Sequence, residues 1–170
     1  MQLKKKLDDE ESISLLTSLL VRYPEVGSIN YSPRGHLLKL KFILKEELDK
    51  KTIQQISEEL ENCIYTYMYY ESKSEPKYLK TKYNVGSGIT IFEITRDAGT
   101  LTQKEIGLII CLLRERLNHS LVTDGYFAQD DELMEQDDFI RHMLDNLRGK
   151  NLKNGLIAVR EEGRVLIFTR

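Results

Sequence analysis

Residues Ile89 to Leu117, ITIFEITRDAGTLTQKEIGLIICLLRERL, constrain the fold more than any other stretch. Ile89, Thr90, Ile91, Phe92 and Ile94 are β-branched or aromatic and suit a pleated strand. Apolar residues fall on both faces, so this strand is expected inside a sheet. Arg96-Asp97-Ala98-Gly99 supplies turn chemistry. Thr102 followed by Glu105 has the spacing of a capping box, in which hydroxyl and carboxylate each take a free amide. A helix should follow to about Leu117. Ile106, Leu108, Ile109, Ile110, Cys111, Leu112 and Leu113 leave it no polar face at first, so it should be buried on most sides. Its apolar part is far short of the roughly 18 to 20 residues of a membrane span.

The same turn offers one chemical reading. Free amides at a helix start, with the helix dipole, attract anions. Arg96, Gly99, Thr100, Thr102 and Lys104 are placed to cradle a phosphate, with an ordinary strand-to-helix turn as the plainer explanation.

Around this centre the pattern gives hairpins and helices. A charged lead-in over residues 1–10 precedes a helix from Ser12 to Arg22, with Ile13, Leu16, Leu19 and Leu20 at helical spacing. Val26–Tyr31 and His36–Leu44 form a hairpin around Ser32-Pro33-Arg34-Gly35. A second helix reaches Tyr70, and Tyr78–Val85 turns through Gly86-Ser87-Gly88 into the central strand. Ser120–Thr123 reads as a short strand and Asp124-Gly125 as a turn. A helix to Leu147 and a hairpin, Leu156–Glu161 with Arg164–Thr169, close the chain.

The fold class expected is α+β. Helices pack on an antiparallel sheet built from hairpins, in the order αββ-αββ-α-(β)-αββ. Residues 1–123 form a main domain, and 124–170 a helix–hairpin packed on or continuing the same sheet. At an offset of 128, Leu16, Leu19, Gly27, Ile29, Gly35 and Leu38 fall on Leu144, Leu147, Gly155, Ile157, Gly163 and Leu166, which admits an internal repeat. At an offset of 53, Ile53, Ile56 and Leu60 fall on Ile106, Ile109 and Leu113.

A net charge of −2 gives no global pull toward DNA or anionic lipid, so neither DNA nor a membrane is an expected partner. The first residues lack the apolar run of a signal peptide. Cys63 and Cys111, both in apolar helical sequence, read as buried thiols of a reducing compartment, and the location expected is cytoplasmic. Scarce alanine with abundant lysine and isoleucine suggests a bacterial, AT-rich source.

Tyr69, Tyr70 and Tyr78 interleave with Lys73, Lys77, Lys80 and Lys82. Rings stack on bases and lysines neutralise phosphates, so this surface suits single-stranded RNA or a ribosomal contact. Tyrosines equally suit a protein partner. An acidic run, Asp130 to Asp138, lacks the spacing of a calcium loop. His36, His119 and His142 show no zinc-ligand spacing, and no catalytic residue, metal or cofactor is implied. The leading expectation is a non-enzymatic protein-binding or regulatory module acting through a partner or self-association. An RNA-associated protein and a small-anion or nucleotide domain are the alternatives.

Overall fold

The computed structural model describes residues 2–123, 130–150 and 152–170; the side chains of 2–8, 130 and 131 lie outside that description. The expected Asp124-Gly125 turn also lies outside the described residues.

Three tight turns make three hairpins. Ser87 (φ 57°) with Gly88 (φ 80°), and Glu162 (φ 46°) with Gly163 (φ 74°), each place two residues in the left-handed region. That is the requirement of a two-residue turn whose twist matches the strands it joins. The elements run α1 (Gln2–Arg22), β1 (Ser28–Ser32), β2 (Leu37–Leu44), α2 (Lys50–Ser72), β3 (Leu79–Gly86), β4 (Ile89–Asp97), α3 (Gln103–Leu117), α4 (Asp130–Arg148), β5 (Leu156–Glu161) and β6 (Arg164–Thr169). This is an α+β fold with one six-stranded antiparallel sheet, ordered β3-β4-β2-β1-β5-β6.

Several details depart from the expectation. The charged lead-in is helical from Gln2. Residues Ser120–Thr123 make a single bridge, Leu121 to Leu44, and no strand. β4 runs on through Arg96 and Asp97, so the turn begins later than its residue types suggest.

The core lies on one side of the sheet. Ile29, Tyr31, Leu38, Leu40, Phe42, Leu44, Phe92, Ile94, Leu156 and Ala158 are buried at every second strand position. Against them pack Leu16 and Leu19 of α1, Ile56 and Leu60 of α2, Ile109 and Leu113 of α3, and Ile140 and Leu144 of α4. α3 sits between α2 and α4. It is not buried all round: Leu112 is half-buried and Cys111 is exposed, because the face turned away from the sheet reaches solvent.

The 128-residue shift holds for the elements, and even for the hairpin register. Ser28 pairs with Lys41, and their counterparts Leu156 and Thr169 pair likewise. The faces, however, are exchanged. Ile29 and Leu38 are buried, while their counterparts Ile157 and Leu166 lie on the side without helices. The cause is the β1–β5 register, which sets Ile29 opposite Ala158. Residues directly opposite share a face, so Leu156 and Ala158 turn to the helices and Ile157 and Val159 turn away.

Candidate docking surface on the open sheet face

The register fixes what the uncovered face presents. One row across all six strands reads Lys82, Glu93, Lys41, Ser28, Val159, Leu166. The next reads Lys80, Thr95, Lys39, Asn30, Ile157, Phe168. Both rows change from lysine at the β3 edge, through short polar residues on β1, to apolar side chains on β5 and β6. Ile91 and Ile43, themselves opposite one another, extend the apolar surface along β4 and β2.

The uncovered face is hollowed by two clefts. A cleft of about 630 Å³ opens over it, walled by Arg34, Lys39, Tyr78, Lys80, Lys82, Lys153 and Arg170. Glu93 is the acidic side chain in that wall and lies 3.1 Å from Lys41 and 3.7 Å from Lys39. Two lysines thus share one carboxylate, and Lys80 and Lys82 stand exposed beside them. A second hollow of about 450 Å³ is lined by Pro24, Val26, Ile43, Ile91, Val122 and Val159. A chain of net charge −2 therefore concentrates positive charge on one hollowed face, next to an apolar floor.

The residues expected to cradle an anion are arranged otherwise. Arg96 shares a face with Phe92 and Ile94 and points under the first turn of α3, only 1% exposed. Its Nε and Nη2 donate to Glu105 at 2.8 and 2.9 Å. Its Nη1 donates to Asp97, to the Tyr78 carbonyl and to Thr100 Oγ1, and its Nη2 also approaches Met68 Sδ. Every donor of the guanidinium is engaged inside the protein, leaving none for a phosphate. Gly99, Thr100 and Thr102 are half-buried and Lys104 is exposed on the helix start.

Thr102 caps α3 by accepting from the Glu105 amide, as expected. The Glu105 carboxylate is diverted to Arg96, so only half of the capping box forms. Burial pushes the Glu105 carboxyl up, with Arg96 pulling it back only in part. Burial also acts to raise Asp97. Bonds from Thr100 and the Tyr78 amide, with the Arg96 charge, outweigh it and hold Asp97 below the usual range.

The tyrosine–lysine stretch is divided. Lys80, Lys82 and Tyr78 border the open face. Tyr69 and Tyr70 stack edge to face at the C-terminal end of α2, strongly exposed, and Lys73 caps that helix in a left-handed conformation. Lys77 is exposed on the loop before β3. Of the histidines, His36 is bound through Nδ1 to the Tyr31 hydroxyl at 2.7 Å, while His119 and His142 are exposed. Cys63 lies in a shallow groove between α2 and α3, where burial raises its thiol pKa. Among the described residues no three His, Cys, Asp or Glu side chains gather to hold a metal ion, and no helix is long and apolar enough to cross a membrane.

Lys39, Lys41, Ile157, Val159, Leu166 and Phe168 were not legible as one surface. Their strands lie far apart in the chain, and only the sheet order joins them. No protein-family model, curated protein or solved structure matches this chain.

Proposed function

We propose that this chain is a protein-binding module whose open sheet face receives a polypeptide segment carrying both acidic and apolar residues. One observation carries the reading: the uncovered face is graded from Lys80, Lys82, Lys39 and Lys41 to Ile157, Val159, Leu166 and Phe168. An antiparallel sheet with one solvated face is ordinarily polar on that face. A contiguous apolar area rimmed by charge marks an interaction surface. The lysines would steer an acidic partner and fix its orientation, and the apolar strip would supply affinity.

Single-stranded RNA is the weaker alternative. Base recognition on a sheet needs aromatic rings in its middle strands. The middle strands here offer Thr95, Lys39, Asn30 and Ser28, with Tyr78 at the rim and Phe168 at the edge. Tyr69 and Tyr70 belong to the end of α2.

Fluorescence polarisation against a peptide panel that crosses acidic with apolar content tests the proposal. Peptides carrying both should bind, more weakly as salt rises, and less well to Lys80→Glu/Lys82→Glu and to Ile157→Lys proteins. A panel without acidic preference overturns the reading. An oligouridylate that binds more tightly than every peptide replaces it with the nucleic-acid one.

A further inference from the structure

The two edges of the sheet are guarded differently. β3 places Lys80, Lys82 and Asn84 on the open side of its edge, a common protection against strand addition. β6 reads Arg-Val-Leu-Ile-Phe-Thr, with no charge, proline or bulge between its ends. Leu166 and Phe168 lie on the open face, and Val165 and Ile167 pack partly against the core on the other. Bare and apolar on both sides, this edge is a template for another strand.

Which backbone groups it offers follows from one bond. The Arg170 amide donates to the Gly155 carbonyl, so Arg170 faces β5. Backbone groups in an antiparallel strand alternate in direction. Phe168, Leu166 and Arg164 therefore also face β5, while Val165, Ile167 and Thr169 point their N–H and C=O outward. Among the described residues nothing pairs with them.

We infer that β6 pairs antiparallel with β6 of a second copy of this chain, about a two-fold axis normal to the sheet at Leu166. Such an axis sets each residue opposite one that faces the same way, so the register is centred on a residue. Centred on Leu166, Leu166 meets its own copy, Val165 meets Ile167, and Arg164 meets Phe168. Val165 and Ile167 exchange both hydrogen bonds, using the outward groups. Centring on Ile167 would set Arg164 against Arg170, a like-charge pair across the strands. The Leu166 register joins the two apolar ends of the open face into one belt, Ile157, Val159, Leu166 and Phe168 from each copy, with the basic clefts at the far ends. The inference is independent of what the open face binds.

Sedimentation of the full chain tests it. Wild type should sediment at twice the 19.8 kDa chain mass. Leu166→Lys and Leu166→Glu, each placing like charges on the axis, should sediment as single chains with unchanged circular dichroism, and an equimolar mixture should recover the dimer. Amide exchange on wild type avoids substitutions: protection at Val165 and Ile167 should fall on dilution. A monomeric wild type, a dimer indifferent to Leu166→Lys, a mixture that stays monomeric, or exchange independent of concentration each overturns the inference.

Discussion

Removing Arg96 should damage this protein more than removing the glutamate it binds. Three ionised groups meet beneath α3: Arg96, Asp97 and Glu105, with 1%, 5% and 0% exposure. Their formal sum is one negative charge. In Arg96→Met, two carboxylates are left facing each other in the core without a cation. Breaking a buried ion pair in this way costs about 3–5 kcal/mol. In Glu105→Gln, Arg96 keeps Asp97 as a neutralising partner, and the amide oxygen still accepts one bond. Burial already opposes the Glu105 charge, so this loss should fall below the roughly 1.5–3 kcal/mol of a charge-assisted hydrogen bond. The double variant should cost less than the sum, because Arg96→Met no longer strands Glu105. Urea unfolding followed by circular dichroism and tyrosine fluorescence measures all three; the chain has no tryptophan to mask the tyrosines. A Glu105→Gln loss larger than that of Arg96→Met would refute the charge count. So would an Arg96→Met loss below about 1 kcal/mol, the value of a surface pair.

The burial pattern of α3 separates adjacent leucines: Leu113→Ala should cost about 2–5 kcal/mol and Leu112→Ala clearly less, by calorimetry. Asp97 titrates below its ordinary range in the folded state, so the stability it contributes is complete above the unfolded value near pH 4 and drains away as pH falls through the folded value. The thermal midpoint of wild type should therefore drop on acidification below about pH 4, and that of Asp97→Asn should drop less steeply. Glu105 has the opposite sign: its contribution belongs to low pH and is lost as pH rises through its raised value. Exposed Cys111 should react with iodoacetamide before Cys63, whose thiol is partly buried and raised in pKa, and mass spectrometry of the labelled peptides reads the order.

Much of the architecture was legible locally. The alternation of Leu38, Leu40, Phe42 and Leu44 announced a half-buried strand, and paired turn residues at Ser87-Gly88 and Glu162-Gly163 announced hairpins. Strand order was not, since β4 beside β2 and β5 beside β1 are long-range pairings without a local signal. The burial of Arg96 was legible only in part. Period two from Phe92 and Ile94 puts Arg96 inside, but the turn chemistry of Asp97 and Gly99 masks the last two residues of the strand. The open face was hidden because β5 and β6 are apolar on both sides, so pattern alone could not say which side the helices cover.

That two-sided hairpin has a consequence for how the chain reaches its fold. A one-residue slip of β5 along β1 would bury Ile157 and Val159 in place of Leu156 and Ala158, at little cost in apolar area. Register must be enforced from outside the pattern. Arg160 donates to the Leu20 and Tyr23 carbonyls at the end of α1, and its amide donates to the Gly27 carbonyl. The Arg160 side chain reaches the Leu20 and Tyr23 carbonyls from the helix-covered face, which a one-residue slip would turn it away from. Arg160→Ala should therefore loosen the register of β5 on β1, which faster amide exchange along β5 would read.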